Sequence, residues 1–278
     1  MSAERGAGAG RVASLAMYRD PPVVTAATHA LWAYLRDRLR ADGLADVPDR
    51  LDDAIAHDAA WHDPRLLLAQ TCGYPFATSL RGRVRLVATP VYDHAGCVGA
   101  SNGSFVVVGA GALASSVADL RGGTVAINDP ASNSGMNLLR HAVAPHAVEG
   151  RFFGRVIVSG GHVASLALVA GGEADVAAID CVTYGNLARS APARLAGVRI
   201  LAETVKTPGL PLITRASAGD DELALLRAAL EAFVRDPAAA AIRAPLGLAG
   251  FAILPDSAYD AVLEIERAAA AAGYPRLA

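Results

Sequence analysis

Long apolar runs are missing from this chain of 278 residues. No stretch approaches the ~20 consecutive apolar residues that a membrane span needs. The N-terminus holds no apolar segment of the kind a secretory leader requires, because Glu4, Arg5 and Arg11 interrupt it early. Read as it begins, Met1–Gly10 is a flexible polar lead and the protein is cytoplasmic; removal of a leader would make it periplasmic. Cysteine is scarce as well. The three thiols, Cys72, Cys97 and Cys181, form no C-x-x-C pair, which excludes a disulfide framework and a cysteine metal site. A reduced compartment is the simpler reading of so few, with a single bridge as the alternative. Excess charge of either sign is also lacking: the formal net charge is −2, so no polyelectrolyte partner is implied and nucleic acid is excluded. His57, Trp61 and His62 lie together without metal-ligand spacing and read as a solvated surface. No metal and no cofactor is expected.

What the chain does have is apolar residues at 53 %, many of them Ala, with 27 Gly and 15 Pro. That mixture suits an α/β protein with many short strand–helix turns, and the length suits two lobes. Short β-branched or leucine-rich runs predict strands at 11–17, 65–70, 83–88, 104–108, 123–127, 155–159, 174–179, 198–203 and 210–214. Helical spacing predicts helices over 25–40, 51–57, 136–143, 163–170, 184–189, 220–235, 238–243 and 258–272. The clearest helix is 220–235, with Asp220 and Asp221 at its start and Leu223, Leu226, Leu230 and Phe233 on one face.

Three consecutive strand–polar turn–helix units occupy the middle of the chain, the pattern of a mostly parallel sheet. Their turns are Ser132–Gly135, within the longer polar stretch Asn128–Asn137, then Gly160–His162 and Asp180–Thr183. Ligands bind outside the carboxyl ends of such strands, which puts all three turns at one edge. A helix start offers unpaired N–H groups and the positive end of the helix dipole, so the first turn is a candidate anion site. The plainer alternative is capping: Ser132 or Ser134 caps the first helix, His162 caps or satisfies a carbonyl, and Asp180 caps the third. Cys72 and Cys181 read as small buried hydrophobes, since no partner base accompanies them for redox or nucleophilic work. The Gly-rich segment Asp93–Gly103 and the segment Thr204–Gly209 are candidate crossings between lobes, giving one lobe of 1–95 with 207–278 and another of 96–206.

Several of these motifs, in this order, look familiar. Asp119-Leu-Arg-Gly122 followed by Val-Ala-Ile-Asn-Asp-Pro-Ala-Ser-Asn-Ser-Gly135 resembles the phosphate/phosphonate-type substrate-binding proteins of ABC importers, which have the type 2 periplasmic-binding-protein fold. Ser159-Gly-Gly-His162, Gly172-Glu-Ala-Asp175-Val-Ala-Ala-Ile-Asp180 and Thr207-Pro-Gly-Leu-Pro-Leu-Ile213 resemble it too. The resemblance implies two Rossmann-like α/β lobes, a two-strand hinge and a cleft that closes on a small oxoanion without catalysis. By the same resemblance Ser132, Asn133, Ser134 and Gly135 hold the oxoanion, Asp180 meets a cationic end of the ligand, and His162 reaches toward the cleft. Thr71, Cys72 and Tyr74, in the turn from Gln70, close the other side, with Tyr18 placed beside them. The implied partners are a small anionic ligand and an ABC permease, and a monomer or dimer is expected. Two departures stand out. The turn reads Ser-Asn-Ser where the family often has Ser-Thr-Ser or Ser-Thr-His, and few Lys or Arg lie near the cleft. Neutral donors and dipoles would then hold the anion. The alternative is a cytosolic enzyme on the same fold, acting on a small carboxylate or phosphorylated metabolite, as in the futalosine route to menaquinone.

Overall fold

A computed structural model describes residues 10–278; the polar lead expected over Met1–Gly10 lies, Gly10 excepted, outside the described residues. The chain opens with β1 (Val12–Ser14), α1 (Pro22–Ala41), α2 (His57–His62) and β2 (Leu66–Gln70). A short α3 (Gly73–Pro75) runs into a π turn (Phe76–Leu80), followed by β3 (Val84–Tyr92) and the two-residue strands β4 (Cys97–Val98) and β5 (Ser101–Asn102). Next come β6 (Ser104–Gly109), β7 (Thr124–Ile127), a π turn (Asn133–Asn137) continuing into α4 (Leu138–Val143), and β8 (Arg155–Val158). The middle ends with α5 (His162–Ala170), β9 (Val176–Asp180), α6 (Cys181–Ser190) and β10 (Val198–Glu203). The last part is β11 (Thr207–Pro208), β12 (Leu212–Arg215), α7 (Asp220–Arg235), α8 (Ala240–Leu246), β13 (Leu248–Ala252) and α9 (Asp260–Ala271).

Two five-stranded sheets organise these elements, with strand orders β1-β2-β12-β3-β13 and β10-β6-β9-β7-β8. A third, three-stranded sheet, β11-β5-β4, gathers the two segments that pass between them. In the second sheet β7 pairs parallel to both β8 and β9, as the repeated strand–turn–helix pattern predicts, but β6 runs antiparallel to both β9 and β10, so the sheet is mixed and not mostly parallel. Every residue of β2 and β9 is buried, the result expected of apolar strands covered by helices on both faces. Over the first sheet, α1 and α7 lay down Leu31, Trp32, Leu35, Leu39, Leu226, Leu230 and Phe233 as one apolar cluster. Burying such a side chain contributes about 1.5–3 kcal/mol each, so this face holds the first sheet's layers together.

The helix expected over 51–57 is absent because the Asp52 carboxylate accepts from the N–H groups of Ala54 and Ile55, both at 3.0 Å, closing a turn instead. The helix forms one step later, at His57–His62, and Trp61 is buried with its Nε1–H donating to the Gln70 carbonyl at 3.0 Å. The solvated surface expected there is therefore, at Trp61, a packed wall. Strand β13 has no signal of its own, since Leu-Ala-Gly-Phe-Ala carries no β-branched residue; it forms by antiparallel pairing with the second half of β3. The C-terminal segment divides its packing: Val262 of α9 joins a core cluster of the first sheet, whereas Ala269 and Tyr274 join that of the second.

Candidate functional site

A cleft of about 510 Å³ opens where the polar turns of the second sheet face the ends of β1 and β2. Its second-sheet wall includes Asn128, Ser132, Ser134, His162, Asp180 and Thr183. Its first-sheet wall includes Tyr18, Arg19, Trp61, Cys72 and Leu210. A larger groove of about 730 Å³ lies on the outer face between α7 and β13, far from these turns, and carries none of this polar constellation.

Strand β7 delivers the chain to the first turn, where Ser132 is the N-cap: its Oγ accepts the Gly135 N–H at 3.0 Å. Accepting that bond leaves the Ser132 hydroxyl proton free to donate elsewhere. Asn133 turns the other way. Its Nδ2 donates to Thr207 Oγ1 at 2.8 Å and its Oδ1 accepts from Asn137 Nδ2 at 3.0 Å, so its amide anchors the turn to β11 rather than facing the cleft. Its backbone N–H points at Cys72 Sγ, 3.4 Å away across the cleft. Ser104 Oγ donates to the Ser134 carbonyl at 3.0 Å, fixing the turn from below. Beneath it, the fully buried Asn137 accepts from Arg140 Nη2 at 2.7 Å and donates to the Val262 carbonyl at 3.1 Å. The turn is thus held by paired polar groups on three sides, which makes it rigid.

Ser134 Oγ lies 2.9 Å from His162 Nε2. His162 Nδ1 is 3.2 Å from the Ala178 carbonyl and 3.4 Å from the Asp180 backbone N. We assign the proton to Nδ1, donating to the nearer carbonyl, which makes Nε2 the acceptor of the Ser134 hydroxyl. Burial pushes the His162 imidazole below its ordinary value, against the pull of the Asp180 charge and the Ala178 carbonyl. The unfolded chain therefore binds a proton that the fold resists, and stability falls as pH drops through the unfolded value of about 6.5. The expected result is a lower urea midpoint at pH ~5.5 than at pH ~7.5, with a smaller drop in His162→Gln.

Asp180 ends β9 and caps α6. Its Oδ1 accepts from the backbone N–H of Val182 at 2.9 Å and of Thr183 at 3.1 Å, and from the Tyr18 hydroxyl at 3.1 Å. Burial, then the Asp180 charge, pushes the Tyr18 phenol well up, so it remains a donor. Among the described residues nothing donates to Asp180 Oδ2 within hydrogen-bond distance. The Asp180 carboxylate makes no hydrogen bond to His162, so Ser134, His162 and Asp180 do not form the relay that a Ser-His-Asp enzyme requires.

Of the first-sheet residues singled out in the sequence, Cys72 and Tyr18 reach the cleft. Thr71 is fully buried, its N–H on the Pro211 carbonyl at 3.0 Å. Tyr74 points away, its hydroxyl donating to Glu266 Oε1 of α9 at 2.7 Å. Gly135 backs the cleft rather than lining it, and a Cβ built there would lie 1.8 Å from Asn128 Oδ1. Asn128, Thr183 and Trp61 also line the cleft, though the sequence marks none of them individually as a ligand residue. The Asn128 Oδ1 atom is buried without a hydrogen-bond partner among the described residues. The first two sit in turns already marked as polar, so their position next to Ser132 and Asp180 was the available signal. The charged residues of the cleft wall are mostly acidic, Asp20, Asp58, Asp129 and Asp180 with Arg19, and Asp20 is paired with Arg194 at 2.6 Å. Arg19 is itself committed to Asp53, donating to its carbonyl at 2.9 Å.

Comparison with known proteins follows the same line. Residues 14–259 match the family described as ABC transporter, phosphonate, periplasmic substrate-binding protein. Sequence comparison with curated proteins finds no match. Among solved structures, the binding protein component of an ABC phosphonate transporter from Pseudomonas aeruginosa superposes with a TM-score of 0.75 at 16 % identity, covering 95 % of this chain and 88 % of that one. PhnD1 from Prochlorococcus marinus, in complex with methylphosphonate, gives 0.75 at 16 % identity over 92 % of this chain and 97 % of that one. The periplasmic aliphatic sulphonate binding protein SsuA of Escherichia coli gives 0.57 at 17 % identity over 92 % and 84 %. The fold is that of the type 2 periplasmic binding proteins. With the match running through both sheets and every polar turn of the cleft, the chain belongs to the family of periplasmic phosphonate-binding proteins of ABC transporters.

Proposed function

We propose that the cleft closes on a small phosphonate that also carries a cationic group, and that the closed protein presents it to the permease of an ABC importer. The supporting observation is the pairing, in one cleft, of a rigid donor-bearing turn with a buried carboxylate that has one oxygen to spare. The phosphonate oxygens would take the free Ser132 hydroxyl proton and the Ser134 backbone N–H at the helix start. The cationic end would meet Asp180 Oδ2. Asp20 is paired with Arg194, which leaves Asp58, Asp129 and Asp180 in the wall beside one engaged arginine, so a bare dianion such as phosphate meets more repulsion than a zwitterion does. The cleft's volume, about 510 Å³, falls within the usual 300–1,000 Å³ of small-molecule sites.

Closure would be a hinge motion about the segments gathered in the small sheet, between a lobe of 1–95 with 207–278 and a lobe of 96–206. The Tyr18–Asp180 and Cys72–Asn133 contacts would be made on closing and lost on opening.

A thermal-shift series tests the reading. At 100 times its Kd a ligand stabilises by ~2.7 kcal/mol, or roughly 5–10 °C for a chain of this size. Aminoalkylphosphonates are expected to give such a shift, and Ser132→Ala to shrink it while the ligand-free melting changes little beyond a cap's ~1 kcal/mol. A shift produced by small carboxylates alone, or one untouched by Ser132→Ala, would refute it.

A further inference from the structure

Cys97 and Cys181, 84 positions apart in sequence, bring their sulfurs to 3.2 Å. Neither lies in the wall of the cleft described above. Three backbone features press them together. The Cys181 N–H donates to the Gly103 carbonyl at 3.1 Å, tying the first turn of α6 to the end of the first crossing. The Gly103 N–H donates back to the Gly96 carbonyl at 3.2 Å, closing the small hairpin that carries Cys97. Gly96, at φ +86°, approaches so near that an added Cβ would lie 2.7 Å from the Cys181 Cβ and 3.0 Å from the Phe105 ring. Only glycine allows that approach. The backbone thus holds the two segments close, and the side chains bring the sulfurs to 3.2 Å. Cys97 is partly exposed, whereas Cys181 is buried.

We propose that Cys97 and Cys181 form a dithiol that a small-molecule disulfide oxidises to an intramolecular bridge, fastening the first crossing segment to α6. The exposed Cys97 thiolate attacks one sulfur of the oxidant, forming a mixed disulfide and releasing one oxidant thiolate. The Cys181 sulfur then attacks the Cys97 sulfur, forming the internal S–S bond and releasing the second oxidant thiolate. The two protons from the protein thiols end on the two released thiols, so one disulfide is reduced as one is made. The Cys181 thiol is pushed up by its contact with Cys97, then by burial and by the Asp180 charge, which leaves Cys97 as the sulfur that opens the exchange. The bridge would sit one residue from Asp180, on the segment about which the lobes are proposed to turn. The chemistry of the pair does not depend on that hinge reading.

The test incubates the native protein with oxidised glutathione, quenches with acid, and counts thiols after denaturation. Of the three thiols, one, Cys72, is expected to survive, with the protein mass lowered by two hydrogens and a Cys97–Cys181 link in the peptide map. Cys181→Ser is expected to stop at a glutathione adduct on Cys97, and Cys97→Ser to keep both remaining thiols. In Cys72→Ser no thiol should survive. The oxidised protein is expected to melt about 5–10 °C above the reduced form, because the bridge closes a long loop. Survival of all three thiols, a link through Cys72, or bridge formation only after unfolding would overturn the proposal. An oxidised form that melts no higher would overturn the fastening.

Discussion

Asp180→Asn is expected to weaken binding of an aminoalkylphosphonate by about 30- to 1,000-fold, the ~2–4 kcal/mol lost when one partner of a buried charge pair is removed. The fold should tolerate the change. An asparagine Oδ1 can still accept from the Val182 and Thr183 N–H groups and from Tyr18, so the cap on α6 persists. What disappears is the negative charge at Oδ2, the oxygen with no donor of its own among the described residues. Methylphosphonate, which has no cationic end, should bind the variant at least as well as the parent, because one carboxylate less faces its anion. Calorimetric titration of both ligands separates the outcomes. Equal losses for both would mean that Asp180 supports the cleft without reading the ligand's cation.

A second large effect is expected at Gly135. An alanine there would place its Cβ 1.8 Å from Asn128 Oδ1 and 3.1 Å from His162 Cε1. The Asn128 side chain can swing aside more easily than backbone can, so overpacking should cost about 1–3 kcal/mol rather than unfold the protein. The displaced amide and the shifted imidazole both belong to the cleft wall, and phosphonate affinity should fall at least tenfold with them. Asn128→Ala removes the atom in the way. The double variant should therefore recover most of the stability lost in Gly135→Ala, a coupling that a urea-denaturation cycle measures directly. Additive losses would show that Gly135 is there for some other reason.

Much of this cleft was legible beforehand because its elements are local. A β-branched run, a polar turn and an amphipathic segment declare a strand, a helix start and a helix, and three such units in a row place Ser132, His162 and Asp180 at one sheet edge. Where the sequence misled, the deciding contacts were distant ones. The family resemblance makes Asn133 a ligand donor, yet Thr207 and Asn137 take both ends of its amide. Tyr74 followed the same turn as Cys72, but its hydroxyl is claimed by Glu266, 192 positions later. The Cys97–Cys181 contact joins two segments with no shared motif and could not be read from spacing at all. Trp61 illustrates the opposite error: polar neighbours made it look solvated, while its ring closes one wall of the cleft. The small capping decisions, such as the Asp52 turn that displaces the second helix, were readable in principle, since Asp bonding to N–H groups two and three residues on is a local rule.

Whether Ser132 and Ser134 hold the phosphonate while Asp180 holds its cation is decided by a crystal structure grown with an aminoalkylphosphonate. Phosphonate oxygens are expected within hydrogen-bond distance of Ser132 Oγ and the Ser134 backbone N, with the amine on Asp180 Oδ2. A phosphonate bound elsewhere in the cleft, or one whose amine points away from Asp180, would contradict it.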